Sequence, residues 1–146
     1  MNIELFVFPV NGQKVAATRA MLEAQGVSAE GGEQVFKDAV VALFEDKGEW
    51  HTVTLKDNWT GADDLAVKAA IRRWDANSRQ YLVDDLRFAA TLVGKAVTAW
   101  TFPNCPVSPE GFLALPSGVG DVLFSEVHRC LYPTLAELPN FLQGKE

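Results

Sequence analysis

The chain has 146 residues, enough for one domain with a core of its own, and its 48% hydrophobic and 22% charged residues mark it as globular. A net charge of −6 argues against a nucleic-acid partner, whose affinity rests on Lys and Arg neutralising phosphates. Arg72, Arg73 and Arg79 around Trp74 form the only basic cluster, and it reads as a solvated helix end.

Residues 2–8, NIELFVF, read as a short strand that Pro9 ends. Asn11 then caps an expected helix over 12–25, with Gly26 as its stop. Residues 26–34 are small and polar with three glycines, so 1–34 is expected to be a strand–helix appendage or arm, and 35–146 a helical domain. The start carries no basic n-region, and its apolar run is too short for a secretion signal. Lys95 interrupts the best apolar stretch, so no membrane span and a cytoplasmic location are expected.

Residues 35–46 place Phe36, Ala39, Val40 and Leu43 on one helical stripe; their β-branched content also admits a strand, and helix is preferred. Residues 49–55, EWHTVTL, alternate as a strand, with Trp50, Thr52 and Thr54 on one face and His51, Val53 and Leu55 on the other. Thr60 or Asp63 caps a helix that runs to about Asp75 and buries Leu65, Val67, Ala70, Ile71 and Trp74. Ser78 caps a long central helix over about 79–100, whose apolar face holds Leu82, Leu86, Ala89, Ala90, Val93, Val97 and Trp100. Ser108 with Pro109 at the first position opens a third helix carrying Phe112, Leu113 and Leu115. Ser117 caps a fourth, over 118–131, that Pro133 stops. The tail offers Leu135, Leu138, Phe141 and Leu142 as docking points. The expected fold is mainly α: about four helices with a minor β element in which residues 2–8 and 49–55 can pair.

Chemistry is sparse. His128 and Cys130 point about 100° or more apart on a helix, so they do not make the contact that a Cys–His nucleophile needs. Asp63-Asp64 and Asp84-Asp85 lie where helix starts favour carboxylates. His51 has no HxH or HExxH partner, Cys105 and Cys130 have no zinc-ligand spacing, and Gly118-Val119-Gly120-Asp121 lacks the Lys-Ser/Thr of a phosphate loop. No catalytic residue, cofactor or metal is therefore expected, and the chain reads as a non-enzyme. Trp50 and Trp59, in the turn-rich GEWHTVTLKDNWTG, read either as lids over the core edge or as an exposed binding surface.

AVTAWTF, a short turn, then PVSPEGFLALPSGVGDVLFSEVHR resembles the C-terminal half of tail assembly chaperones of long-tailed bacteriophages and prophages. The resemblance spans about 35–132 and rests on Val97, Trp100 and Phe102, on Pro106, Ser108, Glu110, Leu115 and Pro116, and on Val119, Val122 and Val127. It implies a protein partner, the long helical tape-measure protein, which such a chaperone binds in the host cytoplasm before the tail tube polymerises. Helix-in-groove binding needs apolar anchors; Trp50, Trp59, Phe112, Phe141 and Leu142 are the candidates. The alternative is a structural virion protein (a tail, neck or decoration subunit) with residues 1–34 as an arm.

Overall fold

Asn11 and Gly12 decide how the chain begins. Both take positive φ, 51° and 81°, which is the type I′ geometry of a two-residue hairpin. They join strand β1 (Asn2–Val10) to β2 (Gln13–Ala17), with Val10 opposite Gln13. The helix expected over 12–25 is therefore confined to α1 (Arg19–Ala24), which Thr18 caps through its side chain. Pro9 does not end the strand; it pairs with Lys14 near the turn. The computed structural model describes residues 1–28 and 30–133.

Strand β3 (Glu49–Leu55) pairs antiparallel with β1 from Asn2↔Thr54 to Val7↔Glu49, the pairing expected between residues 2–8 and 49–55. Strand β6 (Val97–Trp100) adds outside β3, so the sheet order is β2-β1-β3-β6, antiparallel throughout. The segment expected to be an appendage thus supplies an interior strand, and Leu5 and Phe6 in it are fully buried.

An interior strand with large apolar side chains on both faces needs cover on both. Ile3, Leu5 and Val7 join Val53 and Leu55 under α4 (Phe88–Ala96), α5 (Pro109–Ala114) and α6 (Ser117–Leu131), against Val93, Ala96, Phe112, Leu123 and Val127. On the other face Phe6 and Ala17 meet Leu22 of α1 and Phe36 and Val40 of α2 (Glu33–Leu43), with Phe8, Phe44 and Trp50 at the rim. The result is a helix–sheet–helix sandwich.

The mainly α expectation is wrong. The structure is 46% helix and 25% strand, with a four-stranded and a two-stranded antiparallel sheet, which makes the fold α+β. The long central helix is where the error lies. Residues 79–100 form strand β5 (Gln80–Val83), a 3₁₀ turn (Asp85–Arg87), α4 and then β6. The helix before it, α3 (Gly61–Ile71), stops at Ile71, and Arg72–Asp75 becomes strand β4. Tyr81-Leu82-Val83 and Val97-Thr98 are rich in aromatic and β-branched residues, which fit a pleated surface better than a helix. Among the described residues, no helix is long and apolar enough to cross a membrane.

Candidate functional site

The anchors expected at Trp50, Trp59 and Phe112 face inward. Trp50 is half-buried against Phe6 and Phe36, with ring centroids 5.3 and 6.2 Å away, and its indole N–H donates to the Lys37 carbonyl at 3.3 Å. Trp59 packs half-buried on the opposite side of the sheet, against the main core. Phe112 is 8% exposed in that same core. These three do not share an exposed patch, and Phe141 and Leu142 lie outside the described residues.

Close to Trp59, Tyr132 at the end of α6 donates its hydroxyl to Asp64, which also pairs with Lys68 at 2.9 Å. The Tyr132 hydrogen bond, then that from Lys68, hold the Asp64 carboxyl below the usual range. Burial, then the bond to Asp64, push the Tyr132 hydroxyl up. This latch joins the start of α3 to the end of α6. Asp63 serves the expected structural purpose: its carboxylate accepts the Thr60 N–H at 2.9 Å while Thr60 Oγ1 accepts the Asp63 N–H, a reciprocal cap.

Glu49, His51 and Thr101 form a polar line that sequence reading did not find. The buried His51 lies 3.0 Å from Thr101 Oγ1 through Nδ1 and 3.2 Å from Glu49 Oε1 through Nε2. The order is that of a hydrolase triad, but Thr101 Oγ1 also accepts the Thr52 N–H at 3.0 Å. The neighbouring cavity of about 110 Å³ is lined by His51 and Glu49 and not by Thr101. The line therefore reads as a tie between β3 and the loop after β6. Among the described residues no three His, Cys, Asp or Glu side chains are grouped to hold a metal ion. A cleft of about 1030 Å³ runs beside Ile3, Thr18 and Cys130, and its charged rim is paired internally through Arg19–Glu33 and Arg129–Glu126.

The exposed aromatic surface lies elsewhere. Helix α3 passes without a loop into β4, since Arg72 is already extended at φ −100°, ψ 149°. Strands β4 and β5 pair with Arg72 opposite Val83 and Trp74 opposite Tyr81, and they pack mainly on each other. Opposed residues share a face of an antiparallel pair. One face of the hairpin therefore carries Arg72, Trp74, Tyr81 and Val83, and the last three are 55%, 56% and 58% exposed. Trp74 meets Tyr81 edge-on at 5.2 Å, and the Arg72 guanidinium covers the Tyr81 ring at 4.3 Å. Asp75 closes the turn by accepting from the Ser78 hydroxyl at 2.6 Å and the Asn77 N–H at 3.2 Å; the first of these does most to hold its carboxyl low. Helix α3 buries Val67 and Ile71 but leaves Ala62, Leu65, Ala66 and Ala69 exposed on its opposite side. Arg72, Arg73 and Arg79 enter none of the ion pairs seen among the described residues.

Sequence reading saw these residues and misplaced them. It set Trp74 on the buried stripe of a helix, whereas Asp75-Ala76-Asn77-Ser78, rich in turn formers between Arg-Arg-Trp and Gln-Tyr-Leu-Val, was the available hairpin signal. No protein-family model, curated protein or solved structure matches the chain.

Proposed function

We propose that this chain is a non-enzymatic protein-binding factor that seats a partner on the exposed aromatic face of the β4–β5 hairpin. One observation carries the reading: Trp74, Tyr81 and Val83 are each more than half exposed on one hairpin face, beside Arg72. Trp, Tyr and Arg are the residue types that dominate binding energy at interfaces. An aromatic face left in water also costs solubility, and large exposed apolar patches mark interaction sites. A two-stranded hairpin is marginal alone, so a covering partner stabilises it as well. The tail assembly chaperone that the sequence pattern resembles is the narrower form of this reading, and it rests on that resemblance alone.

Photocrosslinking tests it. Benzoylphenylalanine replaces Tyr81 in the cells that naturally make the protein, and a matched control replaces the exposed Asp38 on α2. The expected result is a discrete crosslinked protein at Tyr81 and none at Asp38. Equal labelling at both positions, or none at either, overturns the reading. Mass spectrometry of purified particles from those cells separates the two phage versions: a chaperone is absent from them, and a structural subunit is present in stoichiometric amount.

A further inference from the structure

Strand β1 outruns the strand beside it. Asn2–Val7 pair with β3, but β2 covers β1 only as far back as Phe6, opposite Ala17. The Met1 carbonyl accepts the Leu55 N–H at 2.8 Å, on the β3 side. Bonding sides alternate along a strand, so Ile3 and Leu5 also face β3, while Asn2 and Glu4 face the side that β2 has left. There β2 gives way to Thr18, the cap of α1. Among the described residues, no backbone bond outside the sheet reaches Asn2 or Glu4.

This open edge is the floor of the cleft of about 1030 Å³. Thr18 and Arg19 wall it on the face where Glu4 pairs with Lys37 of α2. Cys130 and Pro133, at the end of α6 and just after it, wall it on the face of the buried Ile3. Its charged groups are already paired, Met1 with Asp57, Glu4 with Lys37, Arg19 with Glu33 and Arg129 with Glu126, so charge does not define what enters. The floor instead presents backbone donors and acceptors at strand spacing, which another extended chain matches. The cleft is large enough for a whole ligand, for which about 300–1,000 Å³ is usual. It continues the β1–β2 interface past its last pair, so a strand placed there takes up the line that β2 leaves. The sheet of a second copy is backed by helices on both faces and is too thick for a slot walled on both sides.

Going beyond the hairpin reading, we propose that this slot takes an extended segment of a partner protein as an added strand, antiparallel to β1 and in line with β2. Its backbone bonds to Asn2 and Glu4. Its side chains alternate: apolar ones lie toward Ile3, Cys130 and Pro133, and polar ones toward Glu4 and Arg19. The two surfaces are independent, so failure of this one leaves the hairpin reading standing.

Hydrogen exchange and amide chemical shifts of the full chain test it, with a designed peptide of about six residues in which valine and threonine alternate. In the free chain the Glu4 amide should exchange far faster than that of Leu5. The peptide should slow Glu4 by at least about tenfold and shift residues 2–4, 18–19 and 130. In an antiparallel pair, the residues bonded across to Glu4 carry their side chains on its own face. N-methylation of the threonines should therefore abolish binding, and N-methylation of the valines should leave it in place. Glu4→Pro removes an N–H that β3 does not use, whereas Glu4→Ala keeps it and loses the same carboxylate. At unchanged thermal unfolding, the proline variant should bind at least about tenfold more weakly than the alanine one. Should the proline variant unfold, the methylated peptides decide alone. Equal binding of the two methylated peptides, or no shift at millimolar peptide, overturns the proposal. So does a Glu4 amide already protected in the free monomer, which assigns the slot to residues 134–146 of this chain. Protection that rises with protein concentration assigns it to a second copy and overturns the proposal too.

Discussion

Tryptophan behaves in opposite ways in the body of the fold and on the hairpin. In the body, Trp50 and Trp100 are half-buried and each indole N–H has a carbonyl to donate to, that of Lys37 at 3.3 Å and that of Cys105 at 2.7 Å. On the hairpin, Trp74 is 55% exposed and its best neighbour is the edge of another exposed ring. Trp59 is the exception in the body: it packs half-buried on the main core, and its indole nitrogen is buried without a hydrogen-bond partner among the described residues, which costs stability. Among the described residues the Trp74 side chain has no hydrogen bond, and its one ring contact is with the exposed Tyr81; that difference separates residues that pack into the fold from residues free to meet something else.

The comparison breaks first, and most severely, in the body. Phe6 is fully buried, with Phe8, Phe44 and Trp50 at 5.6, 5.1 and 5.3 Å. Phe6→Ala should cost about 3–5 kcal/mol, a large share of the roughly 5–15 kcal/mol available to a domain. Urea denaturation measures it, and a loss under about 1 kcal/mol would mean that α2 does not close the second face of the sheet. Gly111→Ala comes next. A Cβ there would lie 1.7 Å from the Pro106 carbonyl oxygen, which is backbone and cannot swing away. The loop or α5 must shift, at about 3 kcal/mol, the upper part of the usual overpacking range. A thermal midpoint unchanged from wild type would refute that close approach.

These positions also show what the sequence could convey. Residues 49–55 were readable because they alternate, and residues 2–8 because a short run of apolar, aromatic and β-branched side chains suits a strand buried on both faces. The starts of α3 and α5 were readable because Thr60 and Ser108 cap them through their own side chains. Asn11-Gly12 was a strong hairpin signal, yet Asn also caps helices, and QKVAA shows too little alternation to decide between the two. Around 72–100 the alanine-rich helix Phe88–Ala96 has a real helical period, and extending it over its neighbours hid two strands. The exposed surface was less readable still. Periodicity says that a residue is apolar and on a given face, but not whether the same chain supplies the cover. Leu65 and Trp74 were therefore expected inside, and Trp50, Trp59 and Phe112 were offered as outward anchors although their cover comes from elements far along the chain.

A smaller effect sharpens the boundary between the two regions, because α3 belongs to both. The Tyr132–Asp64 hydrogen bond fastens its first turn to α6. Tyr132→Phe should cost about 1–2 kcal/mol, less than a fully buried charged bond because Asp64 keeps some solvent. The pH dependence has a definite sign. Asp64 is depressed, so its contribution is complete above the unfolded value near 3.9 and fades as pH falls through the lower folded value. Tyr132 is raised, so its contribution is complete below about 10 and fades as pH climbs through the higher folded value. Asp57, Asp63 and Asp75 are also held low, so the wild type alone loses stability in acid for several reasons. The gap between wild type and Tyr132→Phe isolates the latch. It should stay constant from about pH 5 to 9 and narrow outside that range. A gap that widens in acid would overturn the assignment.

The smallest expected change in stability is the most informative about function. Trp74→Ala removes a side chain that is already mostly in water and an edge-on contact with Tyr81 of roughly 0.5–1 kcal/mol. Unfolding of the whole chain should move by less than about 1 kcal/mol, since surface changes away from caps and cores seldom exceed about 0.5. Trp100→Phe, which deletes the indole bond to the Cys105 carbonyl and part of the ring packed on the core beside Phe102, should cost about as much or more. Binding should rank the two the other way. Trp74→Ala should remove the Tyr81-directed crosslink, a loss of at least about 2 kcal/mol if Trp74 is an interface hot spot, and Trp100→Phe should leave it intact. If Trp74→Ala instead unfolds the chain, the hairpin is part of the core's stability, and its exposed aromatic face cannot be read as kept free for a partner.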